Sequence, residues 1–226
     1  MHIPDGLMAP AVSALGWLIA IVFLAISVKL LNRKLDDRQI TLMAVLASGI
    51  FVAQMLNFPI GGGTTGHLVG AALASIILGP LAGMLIITVI LIIQALVFGD
   101  GGILSMGLNI LNMAIVCSLV AWYTYRVFPA KYRTVGIFAA AWASVFIAAA
   151  ACSLELAFSY SLSGGAYGIS AGIAFPAMMA SHALIGIGEA IITTGVIAYL
   201  ARVSPKMLKL PKITFISPRK EVVADA

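Results

Sequence analysis

The chain has 226 residues, of which 62% are hydrophobic and 9% charged, with a formal net charge of +5 and a mean hydropathy of +1.12. A charged fraction so far below the roughly one quarter of soluble domains excludes an ordinary globular enzyme and places the chain in a lipid bilayer. The positive excess, which in a soluble protein would point to nucleic acid, is explained here by topology, and no nucleic-acid partner is expected.

Apolar runs occur in chain order at 10–32, 40–57, 67–78, 81–98, 103–126, 135–160 and 172–201. Runs of this composition predict helices in a membrane, so the expected fold class is an all-α membrane protein built as a bundle of seven transmembrane helices. Lys29, Arg33, Lys34 and Arg38 follow the first run, and Arg126, Lys131 and Arg133 follow the fifth. Arg202, Lys206, Lys209, Lys212, Arg219 and Lys220 close the chain, which accounts for all 13 Lys and Arg. Every one then lies on a single side, and the positive-inside rule makes that side cytoplasmic. The expectation is a multi-pass protein of the cell membrane with its amino terminus outside and its carboxyl terminus inside. It is read as one domain, 1–226, ending in a cytoplasmic basic tail, 203–226. A secretory signal would carry positive charge before its apolar run; here Lys29 comes at the end of it, so Met1 is expected to persist.

The opening Met1-His2-Ile3-Pro4-Asp5-Gly6 puts a free α-amine next to an imidazole. The Met1 amine, the deprotonated His2 amide nitrogen and His2 Nδ1 can close one five-membered and one six-membered ring around an ion. Three of four planar positions would be nitrogen, a set that suits Ni(II) or Cu(II) better than Zn(II) or Mg(II). An arbitrary second residue belongs to a frayed end. Pro4, which also restricts Ile3, and the turn residues Asp5-Gly6 stiffen this one.

The segment Pro59-Ile60-Gly61-Gly62-Gly63-Thr64-Thr65-Gly66-His67 falls on the same outer side. The apolar run after His67 covers about twelve residues, roughly 18 Å of helix against a core of roughly 30 Å. The glycine-rich segment is therefore expected to dip into the bundle as irregular backbone and to fold over a site, with His67 below the surface. His67 is either a fourth nitrogen ligand or a helix-capping residue after a loop. Gly61 and Gly66 have the spacing of a phosphate-binding loop, but its Lys is absent, and ATP binding by this chain is rejected.

Together with Ser181-His182-Ala183-Leu184-Ile185-Gly186, the opening motif and the glycine loop resemble the NikM/CbiM family, the substrate-binding S components of nickel and cobalt energy-coupling-factor (ECF) transporters. The resemblance covers essentially the whole chain. It implies capture of Ni(II) or Co(II) outside the cell, with Met1, His2 and His67 as metal ligands. It also implies separate partners: a membrane coupling subunit, cytoplasmic ATPase subunits and a small accessory membrane subunit. Pro4-Asp5 is closer to nickel members than to cobalt members.

Three other ionisable groups fall inside apolar runs, Glu155, His182 and Glu189. His182 and Glu189 are seven apart and share a helix face, as a proton path, a second metal site or a hydrogen-bonded pair. Glu155 is placed near the outer end of its span, and Asp100 in an external turn. Gln94, Asn109 and Asn112 are read as interhelical hydrogen bonders, Ala44/Ser48 and Ala71/Ser75 as close-packing pairs. Cys117 and Cys152 are read as small buried hydrophobes. A membrane metalloenzyme is opposed by the lack of H-E-x-x-H and of a nucleophile-base pair. A secondary metal-ion transporter using Glu155, His182 and Glu189 is the other alternative.

Overall fold

A computed structural model describes the whole chain except Arg33, Lys34, Gly62, Gly63, Lys209, Leu210, Ile213 and residues 215–226. The expected basic tail therefore lies largely outside the described residues. Its described part consists of Val203, Ser204, the short helix α9 (Pro205–Leu208), Pro211, Lys212 and Thr214.

The remaining helices are α1 (Pro10–Leu31), α2 (Asp37–Met55), α3 (Ala71–Leu78), α4 (Pro80–Phe98), α5 (Met106–Asn109), α6 (Cys117–Val127), α7 (Arg133–Leu162) and α8 (Ala171–Val203). A π-helical stretch, Ile110–Val116, joins α5 to α6 in one continuous span. Six helical stretches among the described residues are long and apolar enough to cross a membrane, and α3 is not one of them. With 8 residues it reaches only about 12 Å. Its side chains are all buried, so it serves as a central post inside the bundle.

The sequence accounts for several helix ends. Pro10 and Pro80 open α1 and α4, where the missing N–H costs nothing. Asp36 and Gln39 form a reciprocal capping box on α2. The core around α3 and α4 holds Ile77, Leu78, Leu81, Met84, Ile87, Ile90 and Leu91, each at most 1% exposed. Leu18, Val45, Val52, Leu96, Leu154 and Ile191 point outward. Apolar residues both inside and outside suit a bundle surrounded by lipid.

Two departures concern the glycine-rich segment and the pair His182 and Glu189. Instead of irregular backbone, Phe58–Gly61 and Thr64–Gly66 pair as an antiparallel hairpin, adding a two-stranded ladder to an otherwise helical protein. Pairing satisfies backbone groups that would otherwise be stranded near the membrane. His182 and Glu189 are both buried but do not bond each other: His182 Nδ1 meets Met178 O at 2.9 Å, while Glu189 reaches across to the turn before α3. The small pairs resolve differently too. Ser75 lies against Gly83 of α4, which is internal packing, whereas Ser48 is exposed and bonds Ala44 O in its own helix.

Candidate metal centre

Residues 1–9 form an arm that turns inward and is held along its length. Ile3 N–H donates to Asn109 Oδ1 at 2.7 Å, and Asn109 Nδ2 donates back to Ile3 O at 3.1 Å. Gly102 N–H donates to the same carbonyl at 2.9 Å. Asp5 accepts from Ile103 N at 2.9 Å and from Ser105 N at 3.1 Å. Farther along, Leu7 O accepts from Gly168 N at 2.7 Å and Ala9 N–H donates to Ser159 Oγ at 2.8 Å. Ile3, Met8 and Ala9 are buried, so the arm also has apolar anchors. It is no frayed terminus.

Two glycines make room for this arrangement. A Cβ on Gly102 would overlap the backbone nitrogen and carboxylate of Asp5. One on Gly107 would overlap the backbone of Trp17, so α1 and α5 approach there as closely as chains can. That contact sets α5, and α5 ends on Asn109, the residue that clasps Ile3.

His67 arrives from the opposite side, between the hairpin and α3. Its ring centre is 5.0 Å from that of His2, with the planes tilted by 49°. With metal–nitrogen bonds of about 2 Å, two imidazoles on adjacent corners of a square have ring centres roughly 4.5 Å apart. His67 Nδ1 is 2.7 Å from Leu68 O. A carbonyl can only accept, so Nδ1 carries the proton and Nε2 keeps its lone pair. His67 does not cap α3, whose N-cap is Gly70 in the left-handed conformation (φ 75°).

Neither nitrogen of His2 is committed to a hydrogen bond among the described residues: Nε2 is buried without a partner, and Nδ1 is 3.8 Å from Asp100 Oδ1. Burial pushes the Met1 amine below its ordinary value, with Asp100 opposing. Burial, then the neighbouring amine and His67, pushes His2 down to about 3. His67 is lowered by burial and by the amine, against the bond to Leu68 and the charge of Asp100. These groups are biased toward the neutral, metal-binding form. No cluster of three or more His, Cys, Asp or Glu side chains is placed to hold an ion among the described residues. A site here draws on the terminus and the backbone.

The carboxylates and amides found in the apolar runs divide between the two sides. Glu155 Oε2 accepts from Asn112 Nδ2 at 2.7 Å, so Glu155 is a partner of the π-helical stretch. Glu189 accepts from Val69 N at 2.7 Å and Gly70 N at 2.8 Å, directly after His67. Gln54 Nε2 donates to Val69 O at 2.6 Å and Gln94 Nε2 to Gln54 Oε1 at 2.9 Å. The sequence singles out Glu155, Asn112, Glu189 and Gln94 but not their partners, and Gln54 carries no signal of its own. Cys117 and Cys152 are buried and free, as expected of small apolar fillers.

Comparison with known proteins matches residues 2–207 to the family described as cobalt uptake substrate-specific transmembrane region, CbiM. A metal transport protein of Haloquadratum walsbyi is 41% identical over 208 residues, covering 92% of this chain and 93% of that protein. A fused nickel transport protein, NikMN, of Rhodobacter capsulatus is 36% identical over 223 residues, covering 92% of this chain and 64% of that protein. Among solved structures, a crystal structure of a truncated transition metal transporter superposes with a TM-score of 0.83 at 35% identity. It covers 89% of this chain and 99% of that one.

Proposed function

This chain belongs to the CbiM family of nickel and cobalt uptake transmembrane proteins, and from that premise we propose that it captures Ni(II), or Co(II), with high affinity at Met1, His2 and His67. It is a transport component and not an enzyme. In this reading the Met1 amine, the His2 amide nitrogen, His2 Nδ1 and a His67 imidazole nitrogen form a square around the ion. The ion exchanges its water for four nitrogens, with the hairpin folded over it. The observation that carries the proposal is the held amino-terminal arm, with the His2 and His67 rings at 5.0 Å. His67 presents Nε2 because Leu68 O holds its Nδ1.

The chain then serves as the substrate-binding subunit of an ATP-driven ECF-type importer. It works with a membrane coupling subunit, cytoplasmic ATPases and a small accessory membrane subunit; the missing nucleotide-binding Lys in its glycine loop supports placing ATP hydrolysis elsewhere. The amino terminus faces outward and the carboxyl terminus the cytoplasm, in a cell-membrane bundle of seven helical segments that counts α3. Supporting this orientation, Lys29, Arg38, Arg126, Lys131, Arg133, Arg202 and Lys206 all lie at or beside the α1–α2, α6–α7 and α8–α9 connections. The nickel preference is supported by Pro4-Asp5 in the opening motif.

The test is nickel loading of detergent-purified protein with its native terminus. A yellow, diamagnetic Ni(II) complex is expected, and an extension of several residues before Met1, which carries the free amine out of reach of His2, should abolish it. A green, paramagnetic complex, or normal binding by the extended chain, would refute the amino-terminal chelate.

A further inference from the structure

We propose that Glu189 is the positioning residue for His67 and acts on the imidazole through the Leu68–Val69 peptide group; the inference rests on His67 being a metal ligand. Both ends of that one peptide are used. Its carbonyl accepts His67 Nδ1–H at 2.7 Å, and its N–H donates to Glu189 Oε2 at 2.7 Å. The next peptide, Val69–Gly70, is gripped in the same way: its N–H donates to Glu189 Oε1 at 2.8 Å and its carbonyl accepts from Gln54 Nε2 at 2.6 Å. Gln94 then holds Gln54 at 2.9 Å. Glu189, Gln54 and Gln94 are 2%, 1% and 0% exposed, so water does not compete for these bonds.

Two consequences follow. The planes of the Leu68–Val69 and Val69–Gly70 peptides are fixed at four points, and the imidazole cannot swing without breaking its bond to the Leu68 carbonyl they hold in place. A carboxylate pulling on the Val69 N–H also makes the Leu68 carbonyl a stronger acceptor, because hydrogen bonds in series polarise one another. The stronger acceptor draws on Nδ1–H and raises electron density at Nε2. The arrangement is a carboxylate–histidine–metal relay with a peptide group inserted between carboxylate and ring. Simple capping of α3 is a poorer account, because the bonds fall on Val69 and Gly70 rather than on Ala71 and the rest of the first turn.

The experiment is nickel titration of the full chain in detergent, for the native sequence, Glu189→Gln, His67→Ala and the double variant, with the visible absorption of Ni(II) recorded for each. Glu189→Gln keeps the size but sets an NH2 against a peptide N–H, and should weaken nickel binding about 10- to 100-fold. It should also move the absorption band toward that of His67→Ala. The double variant should bind no more weakly than His67→Ala alone, the non-additivity of residues that act through one another. Additive losses with an unshifted band, or an unchanged Glu189→Gln, would overturn the relay. Nitrogen-15 spectra of the metal-free native protein supply a check that needs no variant: His67 should be a single Nδ1–H tautomer, and an Nε2–H tautomer would overturn the relay. If His67→Ala itself binds nickel normally, the parent reading of the site fails rather than this inference alone.

Discussion

The two arms that meet at the candidate site are built on opposite principles. The amino-terminal arm is a chain end with no regular structure, held by Asn109, Ser105 and the backbone of 102–105 on one side and by Ser159 and Gly168 on the other. The His67 arm is an internal turn between a hairpin and α3, held by a buried carboxylate and two stacked amides. In the proposed chelate the first arm contributes three nitrogens and the second one. The arm offering most of the ligands is the one with a free end, because a terminal amine and its adjacent amide can chelate only from a terminus. The arm offering one ligand invests in aiming it.

That inequality sets the largest expected effect. Extending the chain by several residues turns the Met1 amine into a peptide amide, and without that amine as anchor the neighbouring His2 amide keeps its proton and is lost as a ligand too. If four nitrogens share the roughly 10–16 kcal/mol of a well-made metal site, two of them represent a loss on the order of a thousandfold or more in nickel affinity. His67→Ala removes a single nitrogen, about 3 kcal/mol on the same scale, and should cost roughly a hundredfold. Competition titrations against a calibrated chelator would rank the two. A larger loss for His67→Ala than for the extension would mean that the terminus is not the major ligand source.

How much of this was readable from the sequence follows the same division. Six of the seven apolar segments reappear among the described residues as helices long enough to cross a membrane, with ends displaced by a few residues, because hydropathy measures what the bilayer selects; the segment 67–78 keeps only the eight-residue, wholly buried α3 and is no span. The arm was readable because its stiffening residues, Pro4 and Asp5-Gly6, are neighbours of the proposed ligands Met1 and His2, and Asp5-Gly6 does form the turn. Glu189 was visible as an ionisable group at membrane depth, but its partners Val69 and Gly70 are separated from it by 120 and 119 positions, and no local pattern encodes such a contact. Asn109 was assigned to helix–helix bonding, yet it clasps Ile3 from 106 positions away. The hairpin was missed because glycine-rich segments carry no alternation to mark a strand.

Gly102 offers a way to disturb one arm without touching a ligand. Gly102→Ala would force Asp5 away from the loop, since the new Cβ coincides with its carboxylate and backbone nitrogen. Asp5 anchors the arm three residues beyond His2, so the amine and His2 should lose their register with His67. Nickel affinity is expected to fall about tenfold to a hundredfold, as for other residues supporting a metal ligand. Thermal stability of the metal-free bundle should change less than nickel affinity, because Gly102 lies in the loop between α4 and α5 and is not itself a member of the apolar core. Equal affinity in this variant would show that the arm tolerates displacement and that its fixed geometry is not what creates the site.

Acid gives the gentlest handle, and its sign follows from the depressed pKa values. The Met1 amine, His2 and His67 all ionise less readily in place than their ordinary values, 8.0 for the amine and 6.5 for each imidazole, would allow. A detached arm therefore binds more protons than a seated one, and lowering the pH favours detachment. For His2 the seated arm keeps its full advantage above about 6.5 and loses it progressively as the pH falls toward about 3. Nickel affinity should show this with a further component: displacing the His2 amide proton costs about tenfold per pH unit even where amine and imidazoles are already neutral. The slope should steepen below pH 6.5, as detached arms compete with seated ones. Hydrogen exchange at the Ile3 amide, whose bond to Asn109 marks a seated arm, should accelerate relative to core amides over the same range. Protection of Ile3 that stays constant from pH 8 to pH 4 would show that the arm is seated by its backbone and apolar contacts alone, independently of the charge on His2.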